Sequence, residues 1–298
     1  MKKFIPLCAL TFALSVAIYP LHAAEVPPAV VVIDTGTNTS LFKDSISYEV
    51  CILSSYKCPN GKQMMEGSGA ANLPATKDRN FSHGTQMVSL VLRVNPSAKV
   101  IPIRIVGMTP AGNQGFYSLS DVNNALNWVV ANRVTHNIAV VSISQGAIFA
   151  NCKVPAGLAE NIAALKAANV PVVAAVGNNG NRTATHAPAC LTDTVSIGAT
   201  DNPGRGAIEY DKDASPYIAR YSNGAQGQTD FFLNGRWNAM QLNGTLRFTA
   251  GTSGATAAMA GWWLLNRKAT FDETFNGLMA TTVDTKNEFQ TGKYLPLP

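Results

Sequence analysis

The sequence predicts an α/β fold: one domain built on a mostly parallel β-sheet with helices on both faces. Short β-branched apolar runs, which are typical of buried parallel strands, alternate along the chain with amphipathic segments of helical period. Strands that alternate with helices favour parallel pairing, because a crossover helix returns the chain to the same end of the sheet. The 298-residue chain is long enough for one large domain of this class, and no linker divides it.

The predicted elements follow one another in a regular order. Strands are expected at 29–33, 100–106, 138–143, 170–176 and 194–199. Helices are expected from His83 onwards, at 120–133 behind a Ser120-Asp121 cap, at 156–169, and from Ser253 onwards. Residues 37–80 are polar and rich in Ser, Lys, Asn and Gly, so a long irregular surface segment is expected there.

The first 24 residues have the pattern of a secretory signal peptide. Lys2 and Lys3 form a basic start, residues 4–21 are apolar, and Ala23-Ala24 offers a cleavage point. The apolar run contains two prolines and stops at the alanine pair, which disfavours a retained membrane anchor. We therefore expect residues 25–298 to be the exported domain, secreted or periplasmic.

The net charge is small. It is +5 for the whole chain, and residues 1–24 contain two lysines and no acid, so their removal would leave +3. A balance this mild does not support binding to nucleic acid or to an anionic membrane.

Four cysteines remain beyond the signal segment, namely Cys51, Cys58, Cys152 and Cys190. An even number in an exported chain predicts two disulfides, for which three pairings are possible. We favour Cys51–Cys58, a short loop closure, together with Cys152–Cys190. Zinc is the alternative, but no paired C-x-x-C spacing is present, and we expect no metal.

Ser253 is the candidate nucleophile. It follows a Gly-Thr turn and precedes small residues that can form a tightly packed helix, whose first N–H groups and positive dipole end would face the attacked group. A buried helix of small residues without chemistry has the same pattern, so the assignment depends on the partners that a nucleophilic serine needs.

A base and an orienting acid are available elsewhere in the chain. His83 begins an apolar helix, whereas His136 lies in a polar stretch and is expected at a solvated helix end, and His186 lies in a loop. His83 is therefore the strongest candidate base. Asp34 ends the first strand, where open α/β sheets place their sites, although Asp-Thr-Gly could equally cap a turn.

Three stretches together resemble the catalytic motifs of the subtilisin-like serine proteases, in that family's order. They are Val31-Val32-Ile33-Asp34-Thr35-Gly36, His83-Gly84-Thr85 and Gly251-Thr252-Ser253. Two more stretches, Ala174-Ala175-Val176-Gly177-Asn178 and Ser144-Gln145-Gly146, resemble the family's oxyanion-asparagine motif and one wall of its substrate pocket. The resemblance covers roughly residues 29–295.

The resemblance implies a serine endopeptidase that forms an acyl-enzyme. Ser253 would attack, His83 would transfer the proton, and Asp34 would orient the imidazole, while Asn178 and the Ser253 N–H would hold the oxyanion. An extended peptide would bind along Gly115 and the wall of Ser144, Gln145 and Gly146. The other pocket wall would be residues 174–177, including Ala174, Ala175 and Gly177, braced by the Cys152–Cys190 disulfide.

The chain departs from the family pattern in several places. Gly254 replaces the usual Met after the serine, which predicts a looser turn, and Gln145 replaces the usual Leu of the pocket wall. The loop at 93–98 is short where many relatives bind calcium, so we expect no cofactor, and calcium is not supported. Only four residues separate Ala24 from the first strand, so maturation without a pro-domain is expected.

Two other interpretations remain open at this point. One is a catalytically inactive, exported binding module on the same fold. The other keeps the serine chemistry but acts on a non-peptide acyl substrate. The favoured interpretation is a protease that acts as a monomer on peptide or protein substrates.

Overall fold

The structure is a computed structural model that describes residues 26–73, 76, 78–201, 216–224 and 227–297. The signal segment predicted at 1–24 lies outside these residues.

The described chain contains short and long strands interspersed with five α-helices. In chain order the elements are β1 (Ala29–Asp34), β2 (Val50–Ile52), β3 (Met64–Glu66), α1 (Ser82–Val94), β4 (Lys99–Arg104), α2 (Leu119–Asn132), β5 (Ile138–Ile143), α3 (Leu158–Ala167), β6 (Val172–Ala175), β7 (Val195–Asp201), β8 (Tyr217–Ile218), β9 (Phe231–Asn234), β10 (Arg236–Met240), β11 (Leu246–Ala250), α4 (Thr252–Leu265), α5 (Phe271–Met279), β12 (Val283–Lys286) and β13 (Thr291–Tyr294).

The main sheet of the described chain has the order β3-β2-β4-β1-β5-β6-β7-β8-β12-β13-β9, and β7 also pairs with β9. Seven of its strands, from β2 through β4, β1, β5, β6 and β7 to β9, pair in parallel. Strand β1 lies between β4 and β5, and all six of its residues are buried. The expected mostly parallel sheet is confirmed, and β1 delivers its last residue to the middle of the carboxyl edge.

Helices cover both faces of this sheet, as predicted. Apolar residues of α2 and α3 form one core with the odd-numbered positions of β1. Apolar residues of α1 and α4 form a second core with the alternate positions of the same strand. The alternation follows from the two-residue period of a strand, which sends successive side chains to opposite faces.

Helix α4 packs closely because its residues are small. Ala255, Ala257, Ala258 and Ala260 are fully buried. A side chain at Gly261 would place its Cβ 2.6 Å from the Val91 carbonyl oxygen of α1. The backbones of α1 and α4 therefore approach closely at Gly261.

The described residues of the segment 37–80 are more regular than their composition suggests. They add β2 and β3 to the sheet, and Cys51 and Leu53 are buried in a small separate cluster. These strands have only three residues each, so their apolar period is too short to recognise in the sequence. Strand β2 is set by parallel pairing with β4 and β3 by antiparallel pairing with β2, and the Cys51–Cys58 disulfide ties β2 to the chain that follows it.

Two local expectations were wrong. The capping residue of α2 is Ser118 rather than Ser120-Asp121, because Asp121 reaches back to accept the Ser118 backbone N–H at 2.8 Å. His136 is not a solvated helix end, because its ring lies 4.3 Å from the Tyr48 ring centroid and also stacks on Trp128. Both outcomes depend on contacts that the local polar pattern does not reveal.

In the parts of the chain that the structure describes, no helix is long and apolar enough to cross a bilayer. The same residues hold no group of three or more His, Cys, Asp or Glu side chains arranged to bind a metal ion.

Candidate active site

Asp34 lies at the carboxyl end of β1 and is 2% exposed. Its Oδ1 accepts the backbone N–H of Thr35 at 2.7 Å. The hydroxyl of Thr35 accepts the Gly84 N–H at 2.9 Å and donates to the Phe81 carbonyl at 3.2 Å. The Asp-Thr-Gly turn is therefore tied to the start of α1, which fixes the carboxylate against that helix.

His83 is the second residue of α1 and points its Nδ1 at this carboxylate. The Nδ1 atom lies 2.8 Å from Asp34 Oδ1 and 2.9 Å from Oδ2, and the imidazole is 28% exposed. Burial opposes protonation of His83, but the charge of Asp34 and its hydrogen bond outweigh burial, so the pKa of His83 is raised above its usual value. The Asp34–His83 pair predicted from sequence is thus brought together across 49 residues.

Ser253 lies in the first turn of α4, directly after the turn at Gly251. Gly251 has φ +155° and ψ +164°, a backbone conformation that is essentially restricted to glycine. The Ser253 N–H belongs to the first helical turn, where amide groups have no intrahelical acceptor. Among the described residues no hydrogen bond joins the Ser253 hydroxyl to His83, and such contacts are often long before substrate binds.

The loop after β5 connects to both halves of this arrangement. The Ser144 hydroxyl donates to the Ser253 carbonyl at 3.2 Å. The Gln145 side chain reaches the acid and the base: its Nε2 lies 3.2 Å from Asp34 Oδ1 and 3.4 Å from His83 Nδ1. In the sequence this contact is indicated only by the presence of Gln at position 145, where the resembled family usually has Leu.

Asn178 follows β6 and is oriented by Thr252. Its Oδ1 accepts the Thr252 backbone N–H at 2.9 Å and the Thr252 hydroxyl at 3.0 Å. Because a backbone N–H can only donate, the acceptor atom must be the amide oxygen. The Nδ2 group is therefore turned away from Thr252, beside the first turn of α4, and its donors are available to a ligand.

The two expected pocket walls end adjacent parallel strands, with a histidine between them. Ala174 and Ala175 are buried residues of β6. Beyond the strands, Gly177 lies in the loop after β6 and Gly146 lies in the loop after β5. A Cβ at Gly177 would lie 2.5 Å from the His186 ring, and one at Gly146 would lie 3.3 Å from His186 Cβ. His186 therefore spans the gap between the walls.

His186 is held in this position by polar contacts and by the chain around it. Its Nε2 lies 2.7 Å from Asn179 Oδ1, and Ala187 pairs with Ala147 across the gap. Burial lowers the pKa of His186, so the ring is neutral near neutral pH. The Cys152–Cys190 disulfide, in the favoured pairing, joins the same two segments.

The backbone N–H of Gly115, the residue expected to pair with a bound peptide, has a partner within the chain. It donates to the Gly107 carbonyl at 2.8 Å, and the Tyr56 ring lies against both glycines. With that N–H already used, pairing of Gly115 with a peptide would fall to its carbonyl. The neighbouring Tyr117 is not singled out by any sequence motif; burial first, and the charge of Asp34 second, raise the pKa of its phenol.

Gly254 follows Ser253 without loosening the helix. Helix α4 runs unbroken from Thr252, and a Cβ at Gly254 would lie 2.8 Å from the Trp237 indole of β10. The missing side chain at position 254 thus makes room for Trp237.

Comparison with known proteins is consistent with this geometry. The sequence model of the group described as "Subtilase family" matches residues 28–293. Among solved structures, "S41 Psychrophilic Protease" is similar at a TM-score of 0.68 and 16% identity, covering 89% of this chain and 87% of that one. A structure of proteases from Pseudoalteromonas arctica has a TM-score of 0.68 at 20% identity, covering 90% and 87%. "Sphericase" has a TM-score of 0.65 at 15% identity and covers 94% of both chains. At these identities the structural likeness establishes the fold alone.

Proposed function

The chain belongs to the subtilase family, as its match over residues 28–293 shows, and from this premise we propose an exported serine endopeptidase. The family indicates serine-protease chemistry. The observation that carries the assignment of residues is the contact of His83 Nδ1 with both carboxylate oxygens of the buried Asp34.

In the proposed reaction Ser253 is the nucleophile. Its hydroxyl proton moves to Nε2 of His83 while Oγ bonds to the carbonyl carbon of the scissile peptide. The tetrahedral species collapses when His83 returns the proton to the leaving amine, and an acyl-enzyme remains. Water, deprotonated by His83, then attacks the ester carbon and releases the acid and the Ser253 hydroxyl.

Asp34 supports this proton transfer from the opposite side of the ring. With Nδ1–H directed at the carboxylate, the imidazole has a free Nε2 as the base, and the imidazolium is stabilised when it forms. The raised pKa of His83 fits this role, because the charge of Asp34 favours the protonated ring. Activity should accordingly rise with pH as His83 loses its proton.

Two donors are proposed to hold the oxyanion: the Nδ2 group of Asn178 and the backbone N–H of Ser253. Asn178→Ala should lower kcat by about 10²–10³-fold, the loss that subtilisin suffers without its own oxyanion asparagine, with KM little changed. The donor acts where charge develops, so the ground state loses little. Steady-state kinetics on one peptide substrate measure both constants, and an exposed Asn60→Ala variant is the control. A change in KM alone would contradict the role.

The gap between Gly146 and Gly177 is proposed to bind the substrate side chain on the N-terminal side of the scissile bond. The His186 ring lies in this gap and makes the proposed pocket shallow. The neutral ring, fixed by Asn179, should favour small side chains such as Ala over Phe at that position.

Replacing His186 tests this preference. His186→Gly should raise kcat/KM for Phe relative to Ala at the position before the cut by at least about 10-fold, because an opened apolar pocket gains contact with each added group. Paired tetrapeptide substrates that differ only there measure the ratio. His136→Ala, at a histidine packed on Tyr48, is the control and should keep the wild-type ratio. An unchanged ratio in His186→Gly would remove His186 from the pocket.

The proposed organisation is a signal peptide at 1–24 followed by one peptidase domain at 25–298, acting as a monomer on peptide or protein substrates. Its two disulfides, Cys51–Cys58 and Cys152–Cys190, fit an oxidising compartment. Secretion or periplasmic location is therefore the proposed destination.

Turnover of a peptide library beside a simple ester, with protein exported to an oxidising compartment, tests the proposed function. Peptide cleavage at internal positions supports an endopeptidase. Ester hydrolysis without peptide cleavage would favour an acyl substrate of another kind, and no turnover of either would favour the inactive binding module.

A further inference from the structure

Gln145 contacts both members of the Asp34–His83 pair, and this contact is built into the sheet. Strand β5 pairs in parallel with β1, and Ile143 lies opposite Ile33. Asp34 comes one residue after Ile33 and Gln145 two residues after Ile143, so both leave the sheet at the same edge. The register of the two strands therefore places the amide beside the carboxylate.

The hydrogen-bonding capacity of the three groups decides how they interact. Asp34 Oδ1 accepts from Thr35 at 2.7 Å and lies 2.8 Å from His83 Nδ1, and Gln145 Nε2 adds a third donor at 3.2 Å. His83 Nδ1 already carries the proton that it donates to Asp34, so it cannot accept from Gln145. Gln145 Nε2 and His83 Nδ1 are 3.4 Å apart, and both act as donors, so no hydrogen bond joins them.

We propose that Gln145 is a positioning residue that holds the Asp34 carboxylate and limits the basicity of His83. Its N–H donates to Oδ1, the same oxygen that accepts the Thr35 N–H. The positive end of the same amide lies next to the imidazole and disfavours its protonated form. This inference rests on the proposed function for its catalytic consequence, but not for its effect on the imidazole.

The other ionisable groups around His83 are neutral or hydrogen-bonded elsewhere, so Asp34 and Gln145 are the groups that we expect to set the pKa of His83. Tyr117 faces Asp34, but burial and that charge raise the pKa of its phenol, so it stays neutral. Arg104 has a pKa lowered by burial to about 10 and directs its guanidinium at the Val106 and Asn72 carbonyls. The carboxylate of Asp78, in the turn before α1, accepts the backbone N–H groups of Asn80 and Gln114. Helix α4 contributes the uncharged Thr252 and Ser253 to this edge.

The same loop also restrains the nucleophile. Ser144 donates to the carbonyl of Ser253, while its neighbour Gln145 contacts the acid and the base. One dipeptide after β5 therefore touches all three proposed catalytic residues, and a change at Gln145 should alter the pH dependence of the reaction more than substrate binding.

The test is a pair of substitutions followed by a pH titration. Gln145→Leu keeps the side-chain volume and removes the donor, so the His83 pKa should rise by about half a unit to one unit. Gln145→Glu adds a negative charge near the ring and should raise it by about one to two units. The readouts are NMR titration of the imidazole Cε1–H signal and the acid limb of kcat/KM against pH.

The matched control is Gln63→Leu, because Gln63 Nε2 also donates a hydrogen bond, but to the Ser54 carbonyl on the exposed surface. It should keep the wild-type titration. A pKa order of wild type, Leu, Glu from lowest to highest supports the inference. Superimposable titrations of wild type and Gln145→Leu, or a drop in kcat with no shift in pKa, would overturn it. The NMR titration needs no turnover, so an inactive wild type would count against the proposed function and leave this test intact.

Discussion

Ser253→Ala is expected to abolish peptidase activity while the fold remains intact. The substitution removes only the hydroxyl, and no hydrogen bond from that hydroxyl supports the described part of the chain. The expected loss in kcat is about 10⁶-fold, a magnitude taken from subtilisin, because the base and acid have no function without the nucleophile. Turnover of a chromogenic peptide measures the loss, and the thermal unfolding midpoint measures the fold.

The control for this change is Ser97→Ala, an exposed serine whose hydroxyl contacts Asn95. It should keep wild-type turnover. Ser253→Ala with turnover near that of wild type would show that another residue is the nucleophile. A variant that unfolds would be replaced by Ser253→Cys, which retains a side-chain nucleophile of similar size and should react slowly with an activated ester.

Asp34→Asn is expected to lower kcat by about 10⁴-fold. The Thr35 N–H would keep the amide oxygen at the Oδ1 position, so the NH2 group would face His83 Nδ1 from the Oδ2 position, now 2.9 Å away. That group donates to Nδ1 and so stabilises the wrong imidazole tautomer. The pKa of His83 should also fall, since burial opposes protonation and Asp34 is what raises it. The acid limb of the pH–rate profile should therefore move to lower pH although the rate collapses. A pH series of kcat/KM measures both effects.

Asp284→Asn serves as the control, because Asp284 is an exposed acid paired with Lys293 at 2.7 Å. It should leave both rate and profile unchanged. An Asp34→Asn variant that is slow but titrates at the wild-type pH would mean that Asp34 acts only on structure. A variant with near wild-type rate would remove Asp34 from the mechanism.

The centre of the fold could be predicted from the pattern of the sequence, whereas the Asp34–His83 contact was implied by the resemblance of their motifs to a known family. Buried parallel strands are apolar throughout, so β1 and β5 stand out, and Asp34 follows directly at the end of such a run. Helix α1 has a clear apolar period, which predicts His83 in its first turn. These patterns place each residue on its own element, and the resemblance is what pairs the two.

Other features depend on contacts between side chains that no periodicity encodes. The turn of Gln145 toward Asp34 follows from the register of β5 against β1, and the placement of His186 follows from the path of its loop. The hairpin of β10 and β11 and helix α5 were not predicted, since the hairpin is largely exposed on one strand and the helix is short. Tertiary packing sets these elements.

The most direct test of the role assigned to Ser253 is labelling with a fluorophosphonate probe, followed by mass spectrometry of the digested protein. A serine activated by the Asp34–His83 pair attacks the phosphorus, expels fluoride and forms a stable ester. We predict a single adduct on the peptide that contains Ser253, formed by wild type, strongly slowed in Asp34→Asn and absent in Ser253→Ala. Natively folded wild-type protein that takes up no probe, or carries it on a different serine, would contradict this role.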